Sequence, residues 1–492
     1  MQIKTKFSKT FYRILVVLVW LFCAFILFYN LGTEPIKIWD EARRAVSAYE
    51  MYKNGLGIVT TYDHQPDMWG TKPPLLIWMQ TLSFHLFGVD TFALRFPSAL
   101  AGFGCCMLLL FGWGASRKTP ILGIFSALIL VSSYGFVGYH SSRTGDFDAL
   151  LSLWVFAAAS SFFFYFEQRK SWQLILFFFF LSLACLTKGV AGLFMLPGLG
   201  IFVLIQRGFL KQLLLTKSFY FGVLLFLSLV LGFYFGREAL NPGYLRAVWE
   251  NELGGRYLEA NEAHNEETLF YIKAMIRYRF QWWFWILPIA LVSIFITNQT
   301  KERQLLIYLL LLSMSILMVI SSAETKLRWY DVSVYPFLAL LSGVVLSLLF
   351  HYLWHLRKWY ASVFGFVFLV YFILFPARDS WIRSTRIGFS DDFKQANAMV
   401  FYLQDIIDGK RDLDEGCDLA YYKYGADVKF QVIQLKERGY ELKFVHEDDL
   451  SPGQCLLIQH DLALRAIDDA GDYEIIEEFA NIRKVKLLSS TK

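Results

Sequence analysis

Two neighbouring acids lead the residues that could carry chemistry. Asp40 and Glu41 stand in Trp39-Asp40-Glu41-Ala42-Arg43, directly after the first long apolar run. A carboxylate beside hydrocarbon loses hydration and gains affinity for a proton, which suits a general base acting on a hydroxyl. At a helix start the same pair would cap orphan N–H groups and meet the dipole favourably, so both roles stay open. A second group, Arg143-Thr144-Gly145-Asp146-Phe147-Asp148, packs an arginine and two aspartates between two apolar runs. It suits orienting a base, binding sugar hydroxyls or holding a divalent cation; the aspartates equally suit a helix N-terminus. Lys72, Lys188 and Lys326 each border hydrophobic sequence. Such lysines either snorkel into headgroups or build an anion site, to which Arg43, Arg328 and Tyr330 would add donors. His264 lies among Glu259, Glu262, Glu266 and Glu267. It is either a solvated loop histidine or part of a metal or substrate site. If a divalent cation binds, Asp40, Asp146, Asp148 and His264 are its candidate ligands, but no residue pattern requires a cofactor.

The elements that must position these groups follow from composition. The chain has 492 residues, 56% hydrophobic, 18% aromatic and only 18% charged, with a formal net charge of +5 and a mean hydropathy of +0.42. A soluble chain of this size needs far more surface charge, so a polytopic membrane protein is expected, with the bilayer rather than nucleic acid as its partner. The basic start (Lys4, Lys6, Lys9, Arg13) before Ile14–Phe28 looks like a secretory signal. Tyr29-Asn30-Leu31-Gly32 offers no small-x-small cleavage site, so this run is expected to stay as the first membrane helix. Cys23, Cys105, Cys106 and Cys185 fall in apolar runs and read as small core residues. Cys417 and Cys455 fall in the polar tail, where a disulfide is one of two open outcomes.

Apolar runs fit crossings at 13–29, 93–114, 119–139, 148–166, 171–187, 189–206, 217–236, 282–297, 304–320, 332–350 and 360–376, within a total of about 11–13. With the N-terminus cytoplasmic, the inner loops hold Arg117-Lys118, Arg169-Lys170, Arg207 to Lys217, Lys301 to Arg303 and Arg357-Lys358. Every inner loop is then basic, as the positive-inside rule requires. The candidate acids and the three lysines all gather on the outer side, which favours the phosphate over snorkelling. Two short interfacial helices are expected in the first outer loop, 30–92. One is opened by Asp40 and stopped by Gly55; the other starts after Pro73-Pro74. The outer loop 237–281, with about 45 residues, is long enough for a gate or an acceptor-binding lid. From 377 the charge rises and alternation such as Cys455-Leu456-Leu457-Ile458 predicts strands between helices. The expected architecture is mainly α: a membrane domain over 1–376 and a small soluble α/β domain over 377–492. That tail has no Gly-rich phosphate loop, nucleophile elbow or metal-ligand spacing.

The ordered set Trp39-Asp40-Glu41-Ala42-Arg43, Lys72-Pro73-Pro74-Leu75, Leu86-Phe87-Gly88 to Arg95-Phe96-Pro97-Ser98, Arg143 to Asp148, Leu186-Thr187-Lys188-Gly189 and Lys326 to Tyr335-Pro336 resembles a known group. It is similar to the aminoarabinose transferases and protein O-mannosyltransferases, membrane glycosyltransferases of the C-type fold, over residues 10–350. The resemblance implies a multi-pass plasma (inner) membrane enzyme with an extracytoplasmic, periplasmic active site. It implies transfer of a sugar from a polyprenyl-phosphate donor to a lipid or glycan acceptor, with lipid A or another envelope glycan preferred. Asp40 matches the family's catalytic carboxylate, Lys72 the lysine that meets the donor phosphate, and Asp146 and Asp148 the acidic pair. Thr71 departs from a position that is often acidic in the family, which weakens the case for a bound cation. The chemistry expected is in-line displacement with inversion: Asp40 takes the acceptor proton while fixed lysines neutralise the departing phosphate. Rival expectations are transfer to serine or threonine, a lipid-linked sugar flippase, and a non-catalytic membrane scaffold. The flippase would need inverted halves or charges at mid-membrane depth, and the sequence has neither.

Overall fold

The computed structural model describes residues 9–37, 39–258, 266–297, 299–355, 363, 374–385, 394–395, 397–412, 417–420, 425–445, 450–459, 467, 471–479 and 481–489. The helices used below are α1 Lys9–Phe28, α2 Asp40–Asn54, α3 Leu75–Phe87, α4 Thr91–Met107, α5 Pro120–Val131, α6 Phe147–Gln168, α7 Ser171–Lys188, α8 Leu196–Ile205, α9 Lys217–Leu240, α10 Ile286–Ile296, α11 Thr300–Ser322, α12 Tyr335–His355, α13 Ala398–Ile407 and α14 Ala426–Glu437. Among the described residues, seven helices are long and apolar enough to cross a bilayer: Thr10–Phe28, Thr91–Ser116, Phe147–Gln168, Ser171–Leu193, Lys217–Leu240, Thr300–Ser322 and Val332–Leu353. The chain is thus a multi-pass membrane protein. Crossings expected at 119–139, 189–206 and 282–297 contain shorter helices, α5, α8 and α10, of 12, 10 and 11 residues. In the second of these a 3₁₀ turn, Gly189–Leu193, precedes α8. An apolar run shows length, not where the backbone tightens into such turns. Most of the run expected at 360–376 lies outside the described residues.

The chain divides into two units. The first comprises Met1–Leu31, Gly55–Met79 and Arg95–Arg386. Its core is one apolar cluster built from helices on every side, with Trp113, Phe163, Tyr308 and Phe337 among its buried residues. It also encloses a buried polar network. The Arg279 guanidinium donates to both Asp331 carboxylate oxygens, at 2.7 and 3.0 Å, and to the Gly135 carbonyl at 3.1 Å. The Tyr335 hydroxyl donates to Asp331 at 2.6 Å. A side chain at Gly135 would run into the Tyr335 ring, so this glycine sets the close approach. Arg279→Met should strand the Asp331 carboxylate and cost about 3–5 kcal/mol. A lowered melting temperature of the detergent-solubilised protein checks this; an unchanged one would place the stabilisation elsewhere.

The second unit comprises Gly32–Asn54, Gln80–Leu94 and Ile387–Lys492. The C-terminal tail is thus grouped with two segments of the first outer loop. After the short strand pair β1 Thr61–Tyr62 and β2 Gln65–Pro66 of the first unit, the sheet of the second consists of β3 Cys417–Ala420, β4 Phe444–Val445, β5 Cys455–Ile458, β6 Tyr473–Phe479 and β7 Ile482–Leu487 in the order β4-β3-β5-β7-β6. The first three strands are parallel, while β7 runs antiparallel to β5 and β6. The two-residue period of β5 sends Leu457 into one apolar cluster with α13 and α14, and Leu456 and Ile458 into another. Cys417 and Cys455 are cross-strand neighbours and form a disulfide. Helix α2 packs on α14, where Glu437 accepts from the Tyr49 hydroxyl and pairs with Lys53, each at 2.7 Å. Burial and the adjacent Glu437 carboxylate push the Tyr49 phenol up to about 12, so it donates as a neutral group. The Phe84 ring stacks on Phe430, which attaches α3 residues of this unit to α14.

Candidate active site

In the first unit, Lys72 is held by a chain of local constraints. The Asp67 carboxylate accepts from the Trp69 and Gly70 N–H groups at 3.0 and 2.8 Å, folding the chain into a turn just before Lys72. Arg237, fully buried on α9, donates to the Asp67 carbonyl at 3.1 Å and to the Thr60 hydroxyl at 3.0 Å. The Tyr244 hydroxyl donates to the Thr71 carbonyl at 2.6 Å, and burial pushes this phenol up, keeping it a neutral donor. Pro73 and Pro74 then lead into α3, whose Trp78 N–H donates to the Pro74 carbonyl.

The opposite wall begins at the ends of α6 and α7. Asp148 lies in the first turn of α6, and Lys188 in the last turn of α7. Gly189 follows at φ +57°, a left-handed conformation that an L side chain rarely adopts, so the chain turns sharply after Lys188. Lys188 Nζ meets the Asp148 carboxylate at 2.5 Å and lies 5.0 Å from the Tyr330 ring centroid. Lys72 and Lys188 share one pocket with Asp148, Tyr330 and Glu252. Its remaining walls are mostly apolar, with Leu151, Phe194, Val319 and Ile320, and its space is about 680 Å³ with the mouth included. Glu252 Oε1 accepts from the Thr71 hydroxyl at 3.0 Å and from Lys72 Nζ at 3.2 Å. Two cations and two carboxylates in a greasy wall form a chamber of balanced formal charge.

The other expected residues have distinct settings. The Arg143 guanidinium is buried and donates to the carbonyls of Ile26, Leu27, Tyr29 and Asn30 at 2.7, 3.3, 2.8 and 3.3 Å, closing the end of α1. Asp146 is fully buried, and its Oδ1 lies 3.2 Å from His140 Nδ1. The His140 ring stacks on Trp329 at 3.6 Å. Neither Asp146 nor Arg143 belongs to the pocket lining. Lys326 is buried and, among the described residues, its ammonium has no ion pair or hydrogen bond; Arg328 is exposed. Both lie within the segment that gives Thr325, Tyr330 and Ser333 to the pocket. His264 lies outside the described residues.

In the second unit, Asp40 begins α2 with its side chain half exposed, and Arg44 one turn on pairs with it at 3.1 Å. Glu41 is 1% exposed, and its carboxylate accepts the Lys37 N–H at 2.7 Å, so it caps the chain entering the helix. Arg43 is half-buried on the same helix. The adjacent acids therefore differ in exposure, Asp40 being the more open.

Glu252 and His140 are the site residues that sequence reasoning missed. Glu252 is one acid among several in the 237–281 loop, and its partner lies 180 positions away, so nothing local marks it. His140 had a signal: it stands at the outer end of an apolar run, three residues before Arg143.

Residues 71–234 match the family model described as dolichyl-phosphate-mannose-protein mannosyltransferase. The chain is 28% identical over 326 residues to the undecaprenyl phosphate-alpha-4-amino-4-deoxy-L-arabinose arabinosyl transferase of Shewanella sediminis, covering 64% of this chain and 57% of that one. It is 26% identical over 324 residues to an uncharacterized protein of Aquifex aeolicus, covering 65% and 61%. The chain thus spans about three fifths of the length of these relatives. Among solved structures, ArnT from Cupriavidus metallidurans bound to undecaprenyl phosphate superposes with a TM-score of 0.71 at 15% identity, covering 97% of this chain and 98% of that one. The archaeal oligosaccharyltransferase AglB from Archaeoglobus fulgidus, in complex with an inhibitory peptide and a dolichol-phosphate, gives 0.57 at 10% identity, covering 98% and 74%. At these identities the likeness to solved structures shows a shared fold.

Proposed function

We propose that this chain, which is similar to the C-type-fold group of aminoarabinose transferases and protein O-mannosyltransferases, moves a sugar from a polyprenyl-phosphate donor to an acceptor hydroxyl or phosphate. The acceptor is an envelope glycolipid such as lipid A, and the reaction takes place at the outer face of the inner membrane, with the N-terminus cytoplasmic. The observation that carries this proposal is the pocket uniting Lys72, Lys188 and Tyr330 within apolar walls. A polyprenyl phosphate needs cations for its headgroup and hydrocarbon for its tail, and this chamber offers both. The buried Lys326, whose ammonium is unpaired among the described residues, adds positive charge in the segment that supplies Tyr330. Relatives named for undecaprenyl-phosphate sugar transfer, and a fold neighbour bound to undecaprenyl phosphate, support the same donor class.

In the proposed step, the acceptor oxygen attacks the anomeric carbon as the bond to the phosphate oxygen breaks in line, inverting that centre. Asp40 takes the acceptor proton, and Lys72 and Lys188 stabilise the charge that develops on the leaving phosphate. Both pocket carboxylates already have lysine partners, and no step is assigned to a divalent cation. The family model's description names a protein as the mannose acceptor, which supports a second reading, transfer to a protein hydroxyl.

The test incubates the purified chain with polyprenyl-phosphate sugars and membrane extract, with and without a chelator, and identifies the labelled product by mass. A new glycosidic bond on a glycolipid is the expected result, and label on protein would select the second acceptor. Intact lipid-linked sugar moved across vesicles without a new bond would overturn the transferase and leave the flippase.

A further inference from the structure

We infer that Glu252 is the counter-ion that a donor phosphate displaces from Lys72, and that it recaptures this lysine to expel the product phosphate. This rests on the donor site proposed above. Glu252 Oε1 holds the Thr71 hydroxyl at 3.0 Å and Lys72 Nζ at 3.2 Å, two donors from consecutive residues. A phosphate oxygen seeks the same kind of donors as a carboxylate oxygen, so the two anions compete for one place. The formal charges of Lys72, Lys188, Asp148 and Glu252 sum to zero in this pocket. An entering phosphate would leave excess negative charge against apolar walls, which is costly unless one carboxylate withdraws.

Asp148 is the poorer candidate to leave. Its side chain is 5% exposed, it is paired with Lys188, and it sits in the first turn of α6 where the helix dipole favours it. The Glu252 side chain is 22% exposed and belongs to the π-helical stretch Trp249–Leu258. Such wide turns are rare and are frequently found at functional sites. Glu252 therefore gives way. Loss of the sugar turns a phosphodiester of one negative charge into a phosphomonoester of about −1.5 to −2, which the lysines hold more tightly. Return of Glu252 to Lys72 offsets that gain and frees the product.

The test titrates the full-length chain in nanodiscs with undecaprenyl phosphate. Glu252→Gln should bind it about tenfold tighter than wild type and show product inhibition at correspondingly lower concentration, with Glu252→Asp close to wild type. A gain of affinity cannot come from a damaged fold, and Glu252→Ala should show the same gain if the Gln variant does not fold. Equal or weaker binding by the neutral variants, with wild type binding and Lys72→Ala not, overturns the role of Glu252 alone. Absence of any binding by wild type would remove the donor site, and this inference with it.

Discussion

Asp40→Asn should lower turnover by about 10²–10⁴, the range of a lost general base, while leaving the folded protein and its donor binding intact. The amide has the shape of the carboxylate but cannot accept a proton at neutral pH. The half-exposed position at the start of α2 makes a large stability effect unexpected, since the i,i+4 pair with Arg44 is partly solvated and worth only a few tenths of a kcal/mol, on the order of 0.3–0.5. The measurement is single-turnover transfer with saturating donor, alongside a thermal melt. Rates within a few fold of wild type would remove Asp40 from the chemistry. His140, whose imidazole lies beside the Asp146 carboxylate, would then be the next group to test.

Lys72→Ala should reduce kcat/KM for the lipid donor by about 10²–10³, because a fixed cation facing the leaving phosphate acts most strongly as its charge develops. The Asp67 turn, the Arg237 clamp and the Tyr244 hydroxyl all converge on the segment that ends in this residue. Such pre-organisation means that the lysine need not be ordered during the reaction. The loss should appear in both kcat and donor KM. In the double variant with Glu252→Gln, the affinity gained by the glutamine change should largely vanish, because the lysine contested by the two anions is gone. Unchanged dependence on donor concentration in Lys72→Ala would defeat the phosphate assignment.

Much of the scaffold was legible because membrane helices are written as uninterrupted apolar runs. Pro73-Pro74 announced the start of α3, and Gly55, with φ +91°, marked the stop of α2. The strand pattern of Cys455–Ile458 was equally plain. The division into units was not, because the attachment of α2 to α14 depends on Tyr49, Lys53 and Glu437, and the last lies hundreds of positions from the other two. Lys72 and Lys188 stood out individually as cations on the wrong side for the charge bias. The pairings did not: Asp148 lies 40 positions from Lys188 and Glu252 lies 180 from Lys72, and only folding brings them together. Arg143 stands beside two aspartates, a place that suggests a ligand contact, and the structure directs its terminal N–H groups to carbonyls at and just beyond the end of α1.

The Arg143 cap also bears on how the molecule is made. The group that closes the end of α1 is synthesised 117 residues after Ile26, so the leading helix enters the bilayer long before its cap exists. Until then those carbonyls must rely on interfacial water. Final seating of α1 is consequently a late event in biogenesis, set by the emergence of the Arg143 segment rather than by the insertion of the helix itself. A nascent chain stalled before that segment should leave its leading helix accessible to crosslinking with lipid or insertase, and one stalled well beyond it should not.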